Sequence, residues 1–146
     1  MKETLERRRA RLVALAQHIP AFADPAAPAG EWYHPDAEPG TFSAPSFLPN
    51  AEAERFVADC YAYDWVLSGF DWAAWAQTAE AQRLRNDPSQ LAGANEHQLA
   101  QLLTVFIRQD RFVEGALATA FESGLILGIL QRTKQLTKRK DKPAAR

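Results

Sequence analysis

The sequence predicts a mostly α-helical protein: a single compact bundle of about five helices around a central, glycine-containing C-terminal helix, with a long proline-rich loop after helix 1. Three observations carry that expectation. Apolar residues recur at helical spacing over most of the chain outside residues 20–49. Seven of the nine prolines fall inside that window, together with Gly30 and Gly40, and deny it a helix. Asn50, Asp71 and Asn95 each stand just before a periodic run, where a helix N-cap belongs.

The first helix is expected from Thr4 to His18, with Leu5, Leu12, Val13, Leu15, Ala16 and Ile19 as its apolar set and Pro20 as its stop. The window 20–49 is long for a connection in a compact domain. Trp32, Tyr33, Phe42 and Phe47 are the side chains that can pin it to the body, and Glu31–His34 can pair with Thr41–Ser43 as a short hairpin around Pro35–Gly40. Asn50 opens a helix over 51–68. Glu52 and Glu54 lie in its first turn, where the helix dipole favours acids, and Phe56, Val57, Cys60, Tyr61, Asp64, Trp65 and Leu67 follow at helical spacing. Ser68-Gly69 ends it. Asp71 caps a helix over 72–85 that buries Trp72, Trp75 and Ala79, and Asn86-Asp87-Pro88 breaks the chain again. Asn95 caps a fourth helix, with Gln98 placed for a capping box and Leu99, Leu102, Leu103, Phe106 and Ile107 as its stripe.

After a turn near Gln109–Asp110 the last helix is expected to run to Leu136. Phe112, Val113, Leu117, Phe121, Leu125, Ile126, Leu127, Ile129 and Leu130 cover most of its circumference, the mark of a central helix. Ala116, Ala120, Gly124 and Gly128 recur every fourth residue and would form one smooth ridge against which another helix packs closely. Fully burying each large side chain stabilises by about 1.5–3 kcal/mol, which outweighs a cost of about 1 kcal/mol per helical glycine.

The formal charge of −1 hides an asymmetry. Residues 1–11 carry five basic side chains against two acids, and residues 132–146 carry seven against Asp141 alone. The body between them, 12–131, has five arginines and fifteen acids. Basic ends on an acidic body either contact a polyanion or fold back onto the acidic surface. A single helical domain is therefore expected over 1–136, followed by a basic, disordered tail over 137–146.

Most site chemistry is excluded by what the chain lacks. The lone Cys60 forbids an internal disulfide or a multi-cysteine zinc site and reads as a small buried hydrophobe. His18, His34 and His97 have no metal-ligating neighbours at useful spacing. No phosphate-binding glycine loop and no nucleophile elbow is present. The longest apolar run, Gly124 to Leu130, is seven residues, and the N-terminus has no apolar signal core. The expectation is a cytoplasmic protein with no cofactor, no metal and no membrane contact.

Two pairs of segments carry a resemblance. Phe70-Asp71-Trp72-Ala73-Ala74-Trp75 goes with Ile107-Arg108-Gln109-Asp110-Arg111-Phe112-Val113-Glu114-Gly115, and Phe121-Glu122-Ser123-Gly124-Leu125 is followed by Ile129-Leu130-Gln131-Arg132. In that order they resemble a family of small bacterial proteins described only as a domain of unknown function. The similarity spans Gly30 to Lys134 and leaves the tail after Leu136 outside. It implies a bacterial origin and a mostly helical fold, and no reaction.

The candidate contact residues are Arg108, Arg111, Glu114 and Glu122, with Asp71, Trp72 and Trp75. If the helix is continuous, Arg111, Glu114 and Glu122 share one side. Arginine forks beside acids can hold a phosphate or carboxylate, or can close a structural ion-pair network, the more economical reading. Trp72 and Trp75 can stack on a partner, but their spacing is also what core packing needs. Asp71 reads first as an N-cap, and Asp64 could reach the arginine pair. The expected function is a non-enzymatic interaction or regulatory module, monomeric or homodimeric, with an unidentified protein partner. The alternative is a nucleic-acid-associated accessory protein whose basic ends (Lys138, Arg139, Lys140 and Lys142 in the tail) grip phosphates. A weaker alternative is an enzyme or binder acting on a small anionic ligand.

Overall fold

A computed structural model describes residues 4–24, 28–33, 46–110 and 115–139. The protein is mostly helical with one two-stranded sheet. Its described helices are α1 (Leu5–Ala16), α2 (Ile19–Phe22), α3 (Ala51–Ala62), α4 (Trp72–Ala76), α5 (Ala79–Asn86), α6 (Pro88–Leu91), α7 (Glu96–Gln109), α8 (Ala116–Glu122) and α9 (Leu125–Arg139). The expected count of five is not matched, because several expected helices are each divided by a turn.

The helix starts follow local chemistry. Thr4, Asn50 and Asp71 accept hydrogen bonds from the backbone N–H three residues on, at 3.0, 2.9 and 3.1 Å. At α7 the capping box is complete: Gln98 N–H donates to Asn95 Oδ1 at 2.8 Å, and Asn95 N–H donates to Gln98 Oε1 at 2.9 Å.

The helix ends follow tertiary demands instead. Pro20 does not end helical structure but sits in the first turn of α2, where its missing N–H leaves nothing unpaired. Helix α3 stops at Ala62 rather than residue 68, and Asp64 adopts φ +62°. Leaving the helix turns Trp65 fully inward, where its Nε1 donates to the Arg11 carbonyl at 3.0 Å, and lets Leu67 N–H donate to Thr104 Oγ1 at 2.9 Å. The expected 72–85 helix divides at Gln77–Thr78, and Thr78 caps α5.

The expected C-terminal rod is likewise broken. Glu122 ends α8, and Ser123-Gly124 turns the chain with Gly124 at φ +85°, a conformation that glycine reaches without a Cβ penalty. The ridge of small residues is therefore not continuous. Ala120 is buried, Gly124 is exposed in the turn, and Gly128 is half-buried against Leu91. Nor is α9 covered all round. Ile126, Ile129, Leu130 and Thr133 are fully buried on one face, while Gln131, Lys134 and Gln135 are exposed on the other. The enclosed helix is α7, in which every residue from Leu102 to Ile107 is buried. Helices α4 and α8 pack on α7, while α9 lies along α1, α2 and α6. Helix α9 continues through Arg139, past Leu136, the expected end of the last helix.

The proline-rich window holds a hairpin. Strand β1 (Gly30–Tyr33) pairs antiparallel with β2 (Ser46–Pro49), placing Trp32 opposite Phe47 and Glu31 opposite Leu48. The first strand coincides with the expected Glu31–His34 over Glu31–Tyr33, and His34 lies outside the described residues. The second lies later than Thr41–Ser43, which falls outside the described residues, as does Phe42. Among the described residues no helix is long and apolar enough to cross a membrane.

Candidate functional site

The expected contact residues are dispersed. Arg108 sits in the last turn of α7, half-buried, and its buried Nε makes no hydrogen bond among the described residues. Arg111 and Glu114 lie outside the described residues. Asp71 is the N-cap of α4, and Trp72 packs half-buried against the core. Trp75 is buried, and its Nε1 donates to Glu80 Oε1 at 3.1 Å. Glu80 Oε2 accepts from Gln98 Nε2 at 2.8 Å. The Gln98 and Trp75 bonds hold the Glu80 carboxyl below the usual glutamate range. They also tie Trp75 to the first turn of α7, about 15 Å along the helix from Arg108 at 1.5 Å per residue. Glu122, exposed at the end of α8, accepts from Trp32 Nε1 at 3.1 Å.

Arg7, Arg8 and Arg11, near the N-terminus, turn onto the body. Arg7 pairs with Asp64 at 3.1 Å, so Asp64 meets α1 rather than the expected arginine pair. Arg8 pairs with Glu96 at 2.6 Å. Arg11 Nε donates to the Tyr63 carbonyl at 2.8 Å, and its guanidinium lies 4.6 Å from the Trp65 ring centroid. At the other end Lys138 is exposed on α9, while Lys140, Lys142 and the Arg139 side chain lie outside the described residues.

The pocket with the most distinctive lining forms under the hairpin. A cleft of about 550 Å³ is bounded by Phe22 and Asp24 at the end of α2, Gly30 and Phe47 on the hairpin, Phe121 and Glu122 on α8, and Leu127 on α9. Its size lies within the range of roughly 300–1,000 Å³ typical of ligand pockets. The aromatic wall is continuous with the core: the Phe22 ring lies 5.0 Å from Phe121 and 5.9 Å from Phe56.

Trp32 fastens the roof. Its ring lies 5.5 Å from Phe47 across the hairpin and packs over Gly115, at the start of α8. A Cβ on Gly115 would sit 2.5 Å from Trp32 Cη2, and the residue has φ +91°, so the position demands glycine twice over. A glycine cannot cap with a side chain. Asp110 supplies that function instead, accepting from Leu117 N–H through Oδ1 at 3.1 Å. Period-two alternation sends Trp32 and Phe47 inward and Tyr33 and Leu48 outward. Tyr33 and Leu48 are each 54% exposed.

Sequence reading found Trp32 and Phe47 as pins and Glu122 as a candidate, but missed Phe22, Asp24 and Leu127. The missed signal is Ile19-Pro20-Ala21-Phe22, in which proline at a first turn announces a new helix rather than a stop.

Nearby polar groups are spoken for. His18, buried between Phe22 and Phe56, bonds Asp59 Oδ2 through Nε2 at 2.7 Å. Burial, with the neighbouring Asp59 carboxylate, pushes the Cys60 thiol well above the ordinary cysteine range, so it carries no thiolate. Among the described residues no group of three or more His, Cys, Asp or Glu is placed to hold a metal ion.

No curated protein and no solved structure matches the chain. A family model does, over residues 7–139, a span that begins earlier and ends later than the Gly30–Lys134 resemblance. By that match, which takes in α1, the hairpin and α9 alike, the chain belongs to DUF6508, a family of unknown function.

Proposed function

We propose that this protein is a non-enzymatic interaction module of the bacterial cytoplasm, and that it meets a protein partner through the hairpin and the cleft beneath it. One observation carries the reading: the hairpin exposes Tyr33 and Leu48 on its outer face and roofs a concave, aromatic-walled cleft with its inner one. Exposed large apolar side chains grouped at a pocket are the usual anatomy of a contact surface, whereas scattered ones are not. The cleft displaces the Arg108 turn as the lead surface, because Trp75 bonds Glu80 at the first turn of α7 and Glu122 lines the cleft. The nucleic-acid alternative is disfavoured by Arg7, Arg8 and Arg11, which spend their charge on the body.

Affinity capture from the cytosol of the native host tests this, with proteins identified by mass spectrometry. The Tyr33→Ser/Leu48→Ser double variant alters only outward side chains. It should lower recovery of the specific partner about tenfold or more, as loss of contact hot spots does, while Arg108→Ala should not. The opposite pattern would move the contact surface to the α7–α8 turn. Capture of nucleic acid at low salt that is lost at high salt would favour the alternative.

A further inference from the structure

We propose a second binding site, separate from the protein contact surface: the groove between the end of α5 and the α8–α9 turn takes a small organic anion, a carboxylate or phosphate head on an apolar body. Two adjoining hollows of about 430 and 360 Å³ form it, and both are lined by Arg85, Asn86, Ser123 and Leu125. Each lies in the range of roughly 300–1,000 Å³ typical of ligand pockets. Among the described residues, the groove shares only Gly124 with the cleft under the hairpin.

The charge of the lining has one sign. Residues 12–131 hold fifteen acids, yet among the described lining residues none is Asp or Glu, and the charged ones are Arg85 and Arg132. Three acids stand next in sequence to lining residues, and each is turned to a neighbour. Asp87 accepts from Ser89 N–H at 3.0 Å and from Ser89 Oγ at 2.7 Å. Asp110 accepts from Leu117 N–H, and Glu122 from Trp32. Arg132 is engaged too, donating to the Ala94 carbonyl at 2.7 Å and to Gln135 Oε1 at 3.2 Å. The available fork is that of Arg85. It is exposed, its guanidinium carbon lies 5.4 Å from the Phe106 ring centroid, and among the described residues no carboxylate pairs with it. Phe106 is buried, so its ring is a fixed plate. A guanidinium held by its face keeps its edge donors for a planar partner, and carboxylate and phosphate are the groups that match that edge. A cation would be repelled, and a wholly apolar guest would cover the arginine and return nothing to it. Leu84, Leu91 and Leu125 give the body of the guest an apolar wall.

The test uses the full chain labelled with nitrogen-15, titrated separately with phenyl phosphate, benzoate, benzyl alcohol and benzylamine. The signals followed are the Arg85 Nε–H and the backbone amides of Gly128 and Ala120, one from each hollow. At least one of the two anions should shift them with a Kd on the order of 1 mM. That anion should bind about tenfold more tightly than benzyl alcohol, with benzylamine weakest. Either order of phenyl phosphate and benzoate upholds the site and names its head group. Arg85→Gln should weaken anion binding about tenfold and leave benzyl alcohol within about twofold. Arg85→Lys keeps the charge and loses the fork, so its affinity should fall between the two. Equal binding of the anions and benzyl alcohol overturns the charge assignment. Anion binding untouched by Arg85→Gln, or no shift with any of the four compounds, overturns the site.

Discussion

The indole N–H of Trp32 donates to Glu122 Oε2 at 3.1 Å, joining the hairpin to the end of α8 across 90 residues of chain. Both residues are conspicuous in the sequence, Trp32 as an aromatic pin and Glu122 as one acid of a charged cluster. Only the fold makes them partners. The bond itself is exposed and contributes about 1 kcal/mol at most. Packing of the ring on Gly115 and Phe47 supplies the rest of the seat.

Loosening that seat should be local. Trp32→Ala removes both the bond and the ring contact, and Glu122→Leu removes the bond alone. Hydrogen exchange of the β1 and β2 amides should accelerate in both variants, more in Trp32→Ala, while the buried α7 amides keep their protection. Uniform acceleration across α7 would show that the hairpin supports the core rather than merely resting on it.

Gly115→Ala should destabilise for two separable reasons. A left-handed conformation costs an alanine about 1–2 kcal/mol. The new methyl also collides with Trp32, for a total of about 2–3 kcal/mol, within the range for strain and overpacking. In the Trp32→Ala background only the backbone cost remains. Urea unfolding of the four proteins in this cycle should give a coupling of about 1 kcal/mol or more. An equal cost in both backgrounds would place Trp32 away from Gly115.

Glu80 gives the fold an acid-sensitive joint between α4, α5 and α7. Bonds from Gln98 and Trp75 lower its carboxyl below the ordinary value of 4.5. The folded state therefore binds this proton more weakly than the unfolded state does. The stability it contributes is complete above the ordinary value and is lost as the pH falls through the lowered native one. Glu80→Gln should unfold in less urea at pH 7, and its stability should fall less steeply on acidification below pH 4.5 than that of the wild type. Parallel pH profiles for the two proteins would contradict the Trp75–Glu80–Gln98 linkage.

Cys60 should be silent in the native state. It is fully buried, and burial raises its thiol so that no thiolate forms at mildly alkaline pH. A disulfide reagent at pH 8 should label it only at the rate of unfolding, and immediately in denaturant. Stoichiometric labelling within seconds of mixing the native protein would show an open path beside α3.

What the sequence discloses here is mainly local. The caps at Asn50, Asp71 and Asn95 depend on one side chain and a backbone N–H three residues away, and each forms as the residues require. The helix ends are different. The apolar spacing of Val57, Cys60, Tyr61 and Trp65 runs past Ala62, yet the chain leaves the helix because Trp65 gains more from a fully buried position against α1. The same blindness joins α8 to α9. Apolar periodicity continues through Ser123-Gly124, and a glycine that serves as a turn looks like a member of a packing ridge. The site was half legible for the same reason. Trp32 and Phe47 stood out as aromatics in a loop, but the cleft exists only where α2, the hairpin and the α8–α9 turn converge.

The account rests on the hairpin being seated on α8 through Trp32. The most direct measurement is the nuclear Overhauser spectrum of the free protein. It should show cross-peaks from the outer ring protons of Trp32 to the Gly115 Hα protons, with the Gly115 resonances displaced upfield by the ring. A Trp32 side chain with solvent-exposed chemical shifts and no cross-peak to Gly115 would remove the roof, and with it the cleft and the contact surface built on it.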